Sequence, residues 1–150
     1  MSHTCIQLYA HIVFSTKHRQ PLLTADLRTR LFAYMGGIFR ELHAPALLIN
    51  GWSDHVHSLA CLPASLSLAE VMRVVKTNSS RWVHERFPRC RGFAWQTGYG
   101  AFSVSQSNLE TVRQYIADQE AHHRRRSFRE EYLSLLAEHG VKFDEQFLWD

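Results

Sequence analysis

Short stretches of extended apolar pattern alternate with longer stretches of helical spacing, and these two periods lay out the chain. Residues 5–15 (CIQLYAHIVFS) are β-branched and aromatic and lack Gly and Pro, which predicts a strand. Its second half is almost continuously apolar, as in a central strand. A turn at residues 17–21 leads to Thr24, a helix cap, and Leu27, Leu31, Tyr34, Met35, Ile38 and Leu42 predict a helix ending near Leu42. Gly36-Gly37 inside it implies close packing against a neighbour. Residues 46–50 predict a second strand, residues 51–54 a tight turn, and residues 55–62 a third strand, forming a hairpin closed by Pro63. Ser67-Leu-Ala-Glu70 reads as a capping box that opens a second helix with Leu68, Val71, Met72, Val75, Ser79, Trp82 and Val83 buried. Residues 93–104 predict a fourth strand, bent at Gly98 and Gly100.

Ser107-Asn-Leu-Glu110 reads as another capping box, opening a third helix with Leu109, Val112 and Ile116 packed. Tyr115 and Gln119, four apart, share one face of it. His122 to Arg126 closes it with positive charge. An amphipathic segment over residues 128–138 follows, then an aromatic tail (Phe143, Phe147, Trp149) expected to pack on the domain or on a partner subunit. The order strand, helix, strand, strand, helix, strand, helix is the split βαβ pattern. The expected fold is one α+β, ferredoxin-like or RRM-like domain over residues 1–150. Its antiparallel sheet carries helices on one face, plus a C-terminal helix bearing Tyr115.

Composition narrows the setting. The chain of 150 residues is 45% hydrophobic and 12% aromatic, enough for a core without disulfides. Three widely spaced cysteines and no Cys-x-x-Cys pair argue against a structural zinc site and fit a reducing cytoplasm. No apolar run approaches 18 residues and no basic-then-apolar leader is present, so a cytoplasmic protein that is not exported is expected. A net charge of +3 is compatible with nucleic acid. Arg73, Lys76 and Arg81 on the second helix, with Arg124, Arg125 and Arg126 after the third, are the candidate phosphate contacts. Ordinary solvation is the plainer reading of the polar face of the second helix.

The candidate chemistry centres on Asp54-His55-Val56-His57. Side chains alternate along a strand, so His55 and His57 point the same way from the sheet and can share one divalent metal. Two surface histidines are the ordinary alternative for so short a pattern. Two imidazoles do not complete a site, and Gln119 is a candidate third ligand. Tyr115 is the candidate nucleophile, its phenol needing a base or a metal to act near neutral pH. A core aromatic is the plainer reading of Tyr115.

Taken together, several stretches resemble the single-tyrosine HUH transposases of the insertion-sequence 200/605 type and their REP-associated relatives. These are His55-Val56-His57 with Leu59-Ala-Cys-Leu-Pro63, Trp95-x-x-Gly-Tyr-Gly100, Phe102-Ser-Val104, and Arg113-Gln-Tyr-Ile-Ala-Asp-Gln119. The resemblance implies a bacterial, nucleoid-associated enzyme that cuts and rejoins single-stranded DNA through a 5′-phosphotyrosine on Tyr115. It implies Mg²⁺ or Mn²⁺ held by His55, His57 and Gln119, and DNA with hairpin or palindromic ends as partner. It also implies a homodimer able to compose each site from two subunits, with His55 and His57 facing the partner's tyrosine. Ser53 stands where relatives often carry proline, a change to a turn and not to a ligand. A domesticated, non-catalytic DNA-binding protein of the same fold is the alternative, and a metal-dependent hydrolase without a covalent step is a third possibility.

Overall fold

The computed structural model describes residues 3–150. Four strands form one antiparallel sheet: β1 (Leu8–Ser15), β2 (Ala46–Gly51), β3 (His55–Leu62) and β4 (Gly100–Val104), in the order β2-β3-β1-β4. The two central strands are therefore β1 and β3, paired from Leu8↔Leu62 to Ser15↔His55. The hairpin joining β2 to β3 turns at Gly51, where an added Cβ would lie 2.2 Å from the His55 carbonyl oxygen. Only glycine permits that approach.

Strand alternation divides β1 and β3 between two layers. Ala10, Ile12, Phe14, Val56 and Ala60 face a large core beneath two helices, α1 (Ala25–Glu41) and α2 (Leu68–Arg86). Thr24 caps α1 and Ser67 caps α2, each accepting from a backbone N–H three residues on. The opposite face, with His11, Val13, His55, His57 and Leu59, is covered by α3 (Leu109–Ala117), α4 (Gln119–His123) and α5 (Phe128–Glu138). A short last turn, α6 (Glu145–Leu148), leads to the C-terminus. The sheet is thus covered on both faces, and the histidines of β3 are buried instead of half-exposed.

Several expected boundaries move. β1 begins at Leu8, not residue 5, because Ile6 and Leu8 find no layer to cover them and stay about half exposed. The expected strand over residues 93–104 forms only as β4. Before it, Trp95 pairs with Thr16 in a single bridge and turns its indole N–H to Ser79 Oγ in the core. The carbonyls of Gln96, Thr97 and Gly98 accept from Lys76 Nζ at 2.6, 3.0 and 2.8 Å, which takes them out of a strand ladder. At Gly100 an added Cβ would meet the Tyr132 hydroxyl at 2.6 Å, so β4 starts where α5 crosses it.

Gly36 and Gly37 are not a close-packing site: the nearest atom to an added Cβ at Gly36 is 3.9 Å away, and Gly37 has none within 4 Å. Ser107 caps nothing, since residues 106–108 form a 3-10 turn and its hydroxyl pairs with Ser105. Glu70 turns its carboxylate to Arg73. The full capping box lies at Ser127–Glu130, opening α5. The third helix breaks at Asp118 into α3 and α4, and Asn50 holds the break by donating to the Ile116 carbonyl (2.9 Å) and the Ala117 carbonyl (3.3 Å). The aromatic tail divides: Trp149 packs against Phe128 and Tyr132 beneath Arg19, whereas Phe143 and Phe147 are exposed.

Candidate metal and tyrosine site

β3 presents His55 and His57 from a central strand, both without exposed surface. Their Nε2 atoms converge on one carboxylate oxygen from α5. Glu131 Oε1 stands 3.0 Å from His57 Nε2 and 3.4 Å from His55 Nε2. One ligand atom from each of the three residues lies within 4.8 Å of the others, close enough for one ion. Gln119, on α4, brings Oε1 to 3.0 Å from His55 Nε2 and donates Nε2–H to Glu131 Oε2 at 3.2 Å. His123, one turn further, points Nε2 at Glu131 Oε1 (3.2 Å) and at Gln119 Oε1 (3.1 Å).

Tyr115, half-buried on α3, donates its hydroxyl to Glu131 Oε2. The two oxygens of Glu131 are therefore divided, one among imidazoles and one between the phenol and the amide. A single chain brings Tyr115, His55, His57 and Gln119 together. The composition from two subunits that the resemblance implied is not needed to assemble them.

The outer contacts orient the ring nitrogens. Asp54 Oδ1 accepts from His55 Nδ1–H at 2.8 Å, which leaves Nε2 to face the cluster. On His57 the far nitrogen, Nδ1, lies 2.7 Å from His11 Nε2, and the two rings stack at 5.0 Å. Phe128 of α5 stacks flat on His55 at 4.2 Å and closes the site from above.

Burial and charge act in opposition here. Burial alone would push His55 down, but hydrogen bonds and charge from Asp54 and Glu131 lift its imidazole to about 9. Burial wins at His57, held down near 4, and at His11, near 3, where the neighbouring His57 adds to the effect. Burial would raise the Glu131 carboxyl, yet hydrogen bonds from His123, His55 and His57 hold it far below the usual carboxylate range. Burial and the Glu131 charge push the Tyr115 phenol well above its ordinary value, against a smaller opposite pull from Arg126. The arrangement is a buried anion among imidazoles, with a protonated His55 balancing it.

A divalent cation fits this donor set. Two imidazoles whose opposite nitrogens already have partners, a carboxylate and an amide oxygen are ligands suited to such an ion, and the outer contacts are of the kind that fix ligand tautomers. The ion would take the place of the His55 proton.

Most of the candidate phosphate contacts lie away from this cluster. Arg73, Lys76 and Arg81 ride on α2, against the other face of the sheet. Lys76 holds the three carbonyls before β4, and burial lowers it to about 8. Arg73 pairs with Glu70 and Arg124 with Glu120, both on the surface. Arg81 and Arg125 are exposed. Arg126 approaches Tyr115 closely enough to act on its phenol. His11, His123 and Glu131 escaped the sequence reading, although a signal for Glu131 exists. It lies in the apolar stripe Phe128, Tyr132, Leu135, Leu136, where a lone carboxylate demands a partner.

The chain thus sets a buried two-histidine, one-carboxylate group beside a tyrosine on a split βαβ sheet. Residues 4–119 match the family model described as "Transposase IS200 like", and the chain belongs to that family. It is therefore a DNA-processing enzyme of the transposase class. It is 29% identical over 129 residues to the transposase of insertion sequence element IS200 from Salmonella typhimurium, covering 79% of this chain and 81% of that one. The ISDra2 transposase of Deinococcus radiodurans is 21% identical over 118 residues, covering 75% and 84%. In fold, the chain is similar to a crystallographically solved Deinococcus radiodurans protein described as a transposase, with a TM-score of 0.66 and 21% identity over 79% of this chain and 95% of that one. It is also similar to a REP-associated tyrosine transposase bound to a REP hairpin, with a TM-score of 0.60 and 14% identity over 82% and 74%. The matched residues 4–119 include Tyr115 and Gln119 and stop short of His123 and Glu131.

Proposed function

We propose that this chain, acting as one catalytic domain, cuts and rejoins single-stranded DNA bearing hairpin ends, with Tyr115 as nucleophile. The observation that carries this is the hydroxyl of Tyr115 seated on Glu131, whose other oxygen meets His55 and His57. His55, His57 and Glu131, with the Gln119 amide oxygen, would hold Mg²⁺ or Mn²⁺. That ion would supply Lewis-acid polarisation of the scissile phosphate.

The chain's own part follows from the geometry. Tyr115 Oη forms the new bond to phosphorus while the bond from phosphorus to the 3′ oxygen breaks, leaving a 3′-hydroxyl and a 5′-phosphotyrosine. The hydrogen bond to Glu131 Oε2 orients the Tyr115 hydroxyl; the phenol proton leaves to solvent, and the departing 3′ oxygen takes one up from solvent, so the exchange balances. The phosphodiester energy is kept in the tyrosyl linkage, so rejoining runs the same exchange backwards without a nucleotide cofactor. Asp54 and His11 hold the imidazoles in orientation. His55, His57, Gln119 and Glu131 carry no exposed surface, so the half-buried Tyr115 is the member of the set through which a phosphate would approach.

Homodimer formation belongs to the same proposal through the family, with each chain supplying its own tyrosine. The test is a denaturing gel of the protein incubated with Mn²⁺ and hairpin-bearing single strands. A covalent protein–DNA band is expected with the wild type and absent with Tyr115→Phe, while DNA binding stays within a few fold. A band that persists in Tyr115→Phe removes Tyr115 as the nucleophile.

A further inference from the structure

A cavity of about 390 Å³ opens on the side of Tyr115 where β4, the start of α3 and the end of α5 meet. Tyr115 forms one wall. His11 and Leu135, both buried, form the floor, and Asn108, Thr111 and Glu138 stand at the exposed rim. None of the metal-set residues lines it, so it adjoins the candidate centre without being part of it.

Its chemistry selects an occupant. The ionisable side chains of the lining are His11, His139 and Glu138, with no lysine or arginine, so the cavity offers a phosphate no permanent cation and favours a neutral group. The floor sets the His11 imidazole beside the aliphatic Leu135 and the wall is aromatic, surfaces that suit a flat ring stacked on a phenol. At the rim, Asn108 leaves its side chain free of any capping bond to α3, and Thr111 is exposed on the first turn of that helix. The volume accommodates one nucleobase with its sugar. A group held there is tethered to whatever phosphate Tyr115 engages, because the tyrosine ring is shared by both.

Resting on the reading of Tyr115 as the nucleophile, we propose that this cavity takes the unpaired nucleobase next to the scissile phosphate, and that Glu138 selects a base carrying an exocyclic amino group. Adenine, cytosine and guanine each offer an amino N–H to the carboxylate, whereas thymine presents carbonyl oxygens on either side of its one ring N–H. Asn108 and Thr111 supply the remaining hydrogen bonds at the rim. The pocket adds a preference for the base beside the break. It does not set how the strand as a whole is held.

The experiment uses the full chain with Mn²⁺ and a pool of hairpin-bearing single-stranded oligonucleotides randomised in the unpaired segment beside the hairpin. Strands captured covalently and their released partners are sequenced at the new ends. Thymine is expected to be depleted about tenfold at one of the two positions flanking the break, the scale of one well-placed base contact. Glu138→Gln should level that bias, and Thr111→Phe, which fills the mouth from an exposed position, should lower capture of every sequence. Unbiased ends, or a bias unchanged in Glu138→Gln, overturn the pocket while leaving the nucleophile in place.

A second measurement is independent of cleavage: amide shifts on titrating deoxycytidine, deoxyadenosine and thymidine. Shifts at Thr111, Leu135 and Glu138 with the first two nucleosides, weaker with thymidine and lost in Thr111→Phe, support the pocket. If they occur where no covalent capture is found, the pocket stands and the nucleophile assignment falls. Absence of nucleoside shifts together with unbiased capture removes the pocket.

Discussion

Glu131 Oε1 lies 3.0 Å from His57 Nε2, and neither side chain has exposed surface. The carboxylate arrives from α5, 74 residues after the histidine in sequence. Glu131→Gln keeps the shape and removes the charge. Mn²⁺ affinity, followed by titration calorimetry, should fall by at least the 10–100-fold seen when mere outer contacts of a metal site are lost. Glu131→Ala should also destabilise the metal-free protein by about 3–5 kcal/mol in denaturant unfolding, because it strands a buried imidazolium. Unchanged Mn²⁺ affinity in both variants would remove Glu131 from the ligand set.

In the proposed metal site, His55 would couple metal binding to pH. Its imidazole is lifted to about 9, so at neutral pH Nε2 carries a proton that an ion must displace. Mn²⁺ affinity should rise about tenfold per pH unit from neutrality and level off near 9. Calorimetry in buffers of different ionisation enthalpy should register one proton released per ion at pH 7.5. In metal-free protein the same proton stabilises the fold. Its folded value lies above the ordinary 6.5, so the contribution is complete below 6.5 and disappears as pH rises through 9. Glu131 has the opposite sign: held below its ordinary 4.5, it contributes above that value and is lost in acid. A His55→Gln protein should lack the decline between pH 6.5 and 9.

Arg81 and Arg125 are exposed, whereas Arg73 and Arg124 already face Glu70 and Glu120. If Arg81 or Arg125 meets a phosphate, its replacement by Ala should reduce the log–log salt slope of DNA binding by about 0.7, the counterion release per contact on a single strand. Arg73→Ala and Arg124→Ala should change it less. Equal effects at all four positions would indicate a diffuse field instead of discrete contacts.

Because Tyr115 reaches Glu131 of its own chain, sites assembled in cis cannot rescue one another. Mixing His57→Ala with Tyr115→Phe protein under conditions that exchange subunits should leave every site defective and yield no covalent product. Recovered cleavage would show that α3 crosses to a partner.

What the sequence determined by itself is what local periodicity and chain order encode. Alternation placed His55 and His57 on one side of β3, because successive side chains must point to opposite faces. Helical spacing put Tyr115 and Gln119 one turn apart, and both reach the same carboxylate even though the helix breaks between them. Motif spacing carried the family. Tertiary structure alone decided which layer those histidines face and which remote side chains meet them. His11 reaches His57 only because β1 and β3 are paired in one register, and Glu131 reaches both imidazoles only because α5 folds back across the sheet. No local pattern encodes that return: the apolar stripe of α5 states that one face is buried, and the contents of the opposing layer decide what its lone carboxylate finds there.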